Sequence, residues 1–258
     1  MLRWCCLGSG SEGNALVIEA RAGLFATRVL VDNGFGPRVL ERRLGLAGLR
    51  IDDIDAVFVT HEHSDHVGGV AALLNRRRIP LLCSGGTRRA AGLDDPEIDW
   101  RPLRDAQPID LGELQLHPYA VPHDAAEPLQ LVATDGARRF GLLTDIGVPT
   151  PAVARALDGL HALQLECNHD AALLMGGAYP PFLKQRIGGD QGHLSNDQAA
   201  RLLGMIDRAR LHTVAAAHLS RSNNRPDLAH AALSALRDGA LERVLVATQD
   251  AGLDWIEV

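Results

Sequence analysis

Lysine is almost missing from this chain. Lys184 stands alone, and arginine supplies the rest of the 26 basic residues, a bias that fits genome composition better than function. Against 32 acidic residues they leave a net charge of −6, which gives no global pull towards nucleic acid. The clusters Arg76-Arg77-Arg78 and Arg88-Arg89 read as solvated faces. Cysteine is scarce as well. Cys5, Cys6, Cys83 and Cys167 are widely scattered, with no metal or disulfide framework, so a reducing cytoplasm is the expected home. No run reaches the roughly 18 apolar residues of a membrane span. The stretch Met1–Cys6 lacks the basic, apolar and small-residue order of a signal peptide. Aromatics are few, at 4%, but with 46% hydrophobic and 22% charged residues the 258-residue chain fits one globular unit with a substantial core. Without a short repeat or a low-complexity linker, the sequence predicts a single domain over residues 1–258.

What is present is a dense cluster of ligating side chains, Thr60-His61-Glu62-His63-Ser64-Asp65-His66. The apolar run Ala56–Val59 leads into it as a buried strand, and Gly68-Gly69 followed by Val70–Leu74 reads as a helix start. Four potential ligands therefore sit on a tight strand-to-helix loop. His61 and His63, two apart near a strand end, can converge on one ion. Asp65 and His66 follow the turn and can face a second ion beside the first. Imidazole and carboxylate suit borderline metals such as zinc.

His-x-His-x-Asp-His in this setting resembles the signature of the metallo-β-lactamase superfamily, and the resemblance runs nearly end to end. It implies an α/β fold, a four-layer αββα sandwich. The predicted order agrees: strands over 2–6, 15–19 and 28–31, a helix over 37–45, and then the metal strand. Later strands are expected over 79–83, 129–133, 139–143, 163–166, 213–217 and 244–248, with a hairpin over 109–116. Helices are expected from Pro151, over 197–206 and over 227–238, and 94–104 reads as irregular. The resemblance also implies site roles. Asp32 supports the metal loop. His123 completes a first site with His61 and His63; the competing His117 reads as a strand residue. His218 completes a second with Asp65 and His66, and Asp145 bridges the two. His161, His212 and His230 lack such a context and read as surface residues. Two divalent ions, zinc or manganese, with Asp65, Asp145 and a bridging hydroxide would leave the centre near +1. That charge suits a phosphodiester.

Glu166 at a strand end and His193 in Gly-His-Leu-Ser are similar to the pair that protonates the leaving oxygen in the phosphodiesterase branch, notably the ribonuclease Z group. A narrower set occurs in order along the chain: Gly-Ser-Gly-Ser-Glu-Gly-Asn, Thr-Asp-Ile-Gly, Glu-Cys-Asn-His-Asp, Tyr-Pro-Pro-Phe-Leu-Lys-Gln-Arg-Ile, Gly-His-Leu-Ser-Asn and His-Leu-Ser-Arg-Ser-Asn-Asn. Together these resemble the YycJ/WalJ group, which implies a 5′ exonuclease acting on DNA with Asp65, Glu166 and His193 as catalytic residues. Glu12 and Cys167 depart from that pattern, and Glu12 at the cleft mouth would repel a phosphate. Lys184, Arg186 and Arg221 are candidate phosphate contacts, with Asn168, Asn223 and Asn224 as polar partners. The acidic balance and the lack of an added nucleic-acid module keep open a small-molecule hydrolase acting on a cyclic nucleotide or other phosphodiester, a thioester or a lactam. The full ligand set speaks against a non-catalytic binding protein.

Overall fold

Apolar residues alternate along the first strand so that both of its faces are buried. Leu2, Trp4 and Cys6 point to one core, while Cys5 and Leu7 point to another. A strand buried on both faces needs a layer on each side. The structure, a computed structural model, describes residues 1–237 and 240–258 and supplies those layers.

The first half runs β1 (Leu2–Gly8), β2 (Ala15–Ala22), β3 (Phe25–Val31), α1 (Pro37–Leu46), β4 (Ala56–Phe58), α2 (Ser64–Val67), α3 (Val70–Arg76), β5 (Leu81–Cys83), α4 (Gly85–Ala90) and β6 (Trp100–Pro102). The second runs β7 (Ile109–Leu111), β8 (Leu114–Ala120), β9 (Leu129–Thr134), β10 (Arg139–Leu143), α5 (Pro151–Ala156), β11 (Ala162–Glu166), α6 (Ala171–Gly176), α7 (Pro181–Ile187), α8 (Asn196–Met205), β12 (Thr213–Ala217), α9 (Pro226–Ser234), β13 (Arg243–Val246) and β14 (Leu253–Glu257). One sheet has the order β14-β1-β2-β3-β4-β5-β6 and the other β13-β12-β11-β10-β9-β8-β7. Each passes from antiparallel pairing to parallel pairing, at β3–β4 and at β10–β11.

The sheets pack face to face over a core that includes Trp4, Ile18, Phe58, Leu116 and Phe140, with Trp4 and Phe140 stacked at 4.8 Å between sheets. Leu40 and Leu44 of α1 and Leu73 of α3 cover the outer face of the first sheet, and Ala199, Leu202 and Leu203 of α8 cover that of the second. This is the α/β, four-layer αββα architecture. Its functional consequence is directional. The C-terminal ends of β3, β4, β8, β10, β11 and β12 meet at one edge of the sandwich, where open α/β sheets hold their ligands.

Several local features differ from expectation. The segment read as irregular contains β6, and β14 was not foreseen. Both are edge strands with only partly buried faces, so neither makes an apolar run. The helix expected over 227–238 is Pro226–Ser234, and Asp238 lies outside the described residues. His161 is buried: its Nδ1 accepts from the Arg139 backbone N–H at 3.1 Å, where β10 and β11 begin to pair. Arg88 lies over the Trp100 ring at 4.4 Å, so it is not simply solvated. All four cysteines are free and buried, and burial pushes the Cys6 and Cys83 thiols up to about 12. Among the described residues no helix is long and apolar enough to cross a membrane.

Glu19 on β2 is fully buried and receives Arg3, Arg21 and Arg28 at 2.5, 2.5 and 2.6 Å. Burial alone would raise its pKa, but the three guanidiniums hold it at about 2, below the ordinary 4.5. A lowered folded-state pKa means the stabilisation is present above about pH 4.5 and is lost as pH falls towards 2. Glu19→Gln is expected to cost on the order of 2 kcal/mol at pH 7, because it leaves three cations crowded with solvent on one side. Thermal melts from pH 7 to pH 2.5 should show the gap to wild type closing below pH 4.5.

Candidate metal centre

Three residues at strand ends adopt a backbone conformation that L-residues rarely take. Asp32 has φ 57°, directly after β3; Asp145 has φ 50°, two residues beyond β10; His218 has φ 56°, directly after β12. Among the described residues only Ala106 joins them outside glycine. Left-handed backbone carries a steric cost, least for Asp and Asn, and such strain tends to collect at functional sites. Gly34 meets a different constraint. A Cβ there would lie 2.0 Å from the Asp65 carbonyl oxygen, so only glycine lets β3's exit loop pack against the metal loop.

The Asp32 carboxylate fixes that loop at both ends. It accepts from the Thr60 backbone N–H at 2.8 Å and from the Thr60 hydroxyl at 2.9 Å, and it contacts His66 Nδ1 at 2.8 Å. With Nδ1 so engaged, His66 turns Nε2 inward, 2.8 Å from Asp145 Oδ2 and 3.4 Å from Asp65 Oδ2. His61 Nδ1 meets the Thr60 hydroxyl at 3.0 Å, while its Nε2 is buried with no partner in the protein. His123 Nδ1 faces the Gly192 carbonyl oxygen at 3.0 Å, leaving Nε2 3.2 Å from His63 Nδ1. His218 Nδ1 lies 3.1 Å from Glu166 Oε1, leaving Nε2 3.4 Å from Asp65 Oδ2. Each such outer contact fixes a ring's tautomer and aim.

The inward atoms fall into overlapping groups, each within 4.8 Å: His61, His63 and His123; Asp65, His66 and His218; and His61, His66 and Asp145. Nitrogen and carboxylate oxygen at this density, with an orphaned buried Nε2 on His61, is a donor set that fits divalent ions. Burial and the neighbouring His66 push His61 well below the ordinary histidine range, so its lone pair is available. Burial would raise Asp65, but His66 and His218 hold it far below the carboxylate range, and it remains an anion.

Beside these groups lies a pair, Glu166 and His193, whose polar atoms also fall within 4.8 Å of Asp145 and His218. Glu166, fully buried, accepts from the backbone N–H of Ile146 at 3.0 Å and of Leu194 at 3.1 Å through Oε2. Its Oε1 contacts His193 Nδ1 at 2.8 Å, and Asp145 Oδ1 lies 3.1 Å from the same nitrogen. Burial works against the charge on both partners, yet Glu166 is held at about 2, chiefly by His193. Glu166 in turn lifts His193 well above the ordinary histidine range.

A cleft of about 200 Å³ opens on this cluster, lined by Ser11, Asp65, Asp124, Arg186, His193 and His218 among others. Of the expected phosphate contacts, only Arg186 lines it, and its Nε donates to Asp124 at 2.7 Å. Lys184 faces away and donates to the Met175 carbonyl at 2.7 Å. Arg221 is ion-paired with Glu12 at 3.1 Å and Asp250 at 2.8 Å, so Glu12 does not stand unpaired. The three asparagines are corrections, because all are buried and engaged within the protein. Asn168 donates to the His218 carbonyl at 3.0 Å. Asn223 Nδ2 faces the Ser220 hydroxyl at 3.4 Å. Asn224 donates to the Cys167 carbonyl at 2.7 Å and pairs with Asn196 at 2.9 Å. They brace the strand ends from below. Sequence reasoning passed over Asp124, whose Oδ1 lies 3.7 Å from His63 Nε2, and Ser9, whose hydroxyl accepts from the His218 N–H at 2.9 Å. Asp124's place directly after His123 was the available signal.

The chain matches the beta-lactamase superfamily domain over residues 27–214. It is 31% identical over 236 residues to exodeoxyribonuclease YycJ of Bacillus anthracis, covering 90% of this chain and 88% of that protein. It is 30% identical over 233 residues to exodeoxyribonuclease WalJ of Streptococcus pneumoniae, covering 88% and 85%. Among solved structures, the metallo-beta-lactamase fold protein YhfI of Bacillus subtilis superposes with a TM-score of 0.75 at 16% identity, covering all of both chains.

The Asp32 contacts generate a test. Asp32→Asn keeps a residue that tolerates the left-handed backbone but removes the charge behind His66. It is expected to weaken metal binding by about 10-fold or more, the usual scale for such an outer partner. Asp32→Ala should weaken it further and also lower the melting temperature. Metal retained per chain after dialysis against graded chelator measures both.

Proposed function

The chain belongs to the beta-lactamase superfamily and is a metal-dependent hydrolase, and on that premise we propose that it is a dinuclear phosphodiesterase that degrades DNA from the 5′ end. In this reading His61, His63 and His123 would hold one ion, Asp65, His66 and His218 would hold the other, and Asp145 would serve both. Two divalent ions, zinc or manganese, supply when bound a nucleophile at neutral pH and positive charge against an anionic transition state. His193 is the general acid. Its Nδ1 is taken by Glu166 and Asp145, which leaves Nε2 to deliver a proton to the departing oxygen. Arg186 at the cleft wall orients the phosphate. The four free, buried thiols fit a cytoplasmic setting.

The observation that carries this reading is the Glu166–His193 contact at 2.8 Å beside the ligand cluster. A thiolate leaves without a proton, whereas a sugar alkoxide is a poor leaving group and needs one. An acid held at this spot is therefore of most use against a phosphodiester of nucleic acid. The YycJ and WalJ relatives, named as exodeoxyribonucleases, support the choice of DNA.

A second reading, hydrolysis of a small phosphodiester, is favoured by one feature. Arg186 and Arg221 are already paired with carboxylates, so the cleft offers little free positive charge to a polyanion.

End-labelled duplex DNA with zinc or manganese separates the two. Nucleotides should be lost from the 5′ end, and an Asp65→Ala/His66→Ala protein should release none. Intact DNA with brisk turnover of bis-p-nitrophenyl phosphate would move the substrate to small molecules. His193→Ala should slow DNA cleavage by about 10²–10⁴-fold. It should spare bis-p-nitrophenyl phosphate, whose nitrophenolate leaves unprotonated; equal losses on both would assign His193 to the scaffold.

A further inference from the structure

Helix α7 is a wall between two cavities. Leu183, Arg186 and Ile187 line the cleft over the metal ligands, whereas Lys184, Gln185 and Gly188 line a larger cavity of about 660 Å³ behind it. Those two sets lie on opposite faces of one helix, as spacings of three and four residues require. The rear cavity belongs to no part of the site described above. Its remaining walls come from α6, from Ser195 and Gln198 at the start of α8, and from His169 just after β11.

The lining is largely apolar, with Ala171, Leu174, Met175 and Pro181 prominent. Within it His169 is 3% exposed, and its Nδ1 has no hydrogen-bond partner in the protein. An imidazole without a fixed partner can adopt either tautomer and so offer a guest either a donor or an acceptor. Lys184 places an ammonium on the same wall, held to the Met175 carbonyl at 2.7 Å. Met175, on the wall, is 69% exposed, and Phe182 on α7 is 73% exposed. Apolar walls, a few polar groups and one cation describe a site for an apolar-faced heterocycle carrying a phosphate. The volume admits a purine or a pyrimidine, which suits an enzyme indifferent to sequence.

We propose that this cavity takes an unpaired nucleobase of the DNA strand being degraded, with its faces against the apolar walls, its edge at His169 and Gln185, and its phosphate at Lys184. Seated there, a base would anchor the strand on one side of α7 while the scissile phosphate lies on the other, beside Arg186. The inference rests on the DNA reading above and adds to it a second point of attachment.

Two exposed wall positions allow a test without touching the metal centre. Ala171→Trp on α6 and Gln185→Trp on α7 each fill the cavity from a different side. The holoenzymes are compared on a duplex with a short 5′ single-stranded end and on bis-p-nitrophenyl phosphate. Both variants should raise KM for the duplex by about tenfold, the scale of a lost apolar contact in a pocket, with turnover of the small diester unchanged. An unchanged KM for DNA in both variants overturns the proposal, as do equal losses on the two substrates. A wild-type enzyme that turns over the small diester but leaves DNA intact fails differently: it removes the DNA reading itself and the proposal with it.

Discussion

The first half of the molecule hangs on one buried carboxylate. Asp32 accepts from Thr60 at the start of the metal loop and contacts His66 at its end. A loop carrying four polar ligands into an apolar edge has little reason to stay there unless its own donors are matched. Asp32 matches them, and it does so from a left-handed backbone at the end of β3, a conformation held by the packing around it. Gly34 then lets the following turn lie against the Asp65 carbonyl. The geometry of His61 and His66 is thus decided beneath the site, by residues that never face the cleft.

The second half repeats this solution with a different residue. Glu166, at the end of β11, takes two backbone N–H groups and two imidazole Nδ1 atoms. It therefore aims His218 at Asp65 and His193 at the open cleft with one oxygen, Oε1, while Oε2 takes the backbone. The first sheet contributes Asp32 and the second Asp145 and Glu166, all buried at the C-terminal ends of parallel strands, and the histidines lie between them. The chemistry asked of Asp32 and Glu166 differs. Asp32 touches a ring that points inward among the ligands, whereas Glu166 also touches one that faces the substrate.

How much of this is legible in the sequence depends on whether a residue's role is local. The metal loop is legible because four candidate ligands, three histidines and an aspartate, crowd into six positions. His123, Asp145 and His218 are isolated in sequence and become meaningful only as strand ends taken in order. The edge strands β6 and β14 lack the buried runs that mark a strand, and were missed or read as irregular. The asparagines misled for a physical reason. Asn168, Asn223 and Asn224 sit in polar motifs, and a polar motif reads as surface. Yet the strand ends expose backbone groups that need buried partners, and amides supply donor and acceptor together. His161 follows the same logic, its ring closing a backbone N–H where two strands start to pair.

The pairing of the arginines bears on how such a site could hold a polyanion at all. Arg186 is engaged by Asp124, and Arg221 by Glu12 and Asp250, so neither is a free cation waiting for phosphate. These pairs are partly exposed and hence weak. A phosphate oxygen arriving at Arg186 would exchange one anion for another on the same guanidinium, at small net cost. Asp124's other oxygen stands 3.7 Å from His63 Nε2 and 3.5 Å from His123 Nε2, so this one carboxylate touches the arginine and the histidine cluster together. On the proposed function a net charge of −6 is then no obstacle, because the attraction would reside at the centre of the cleft and not on the surface around it.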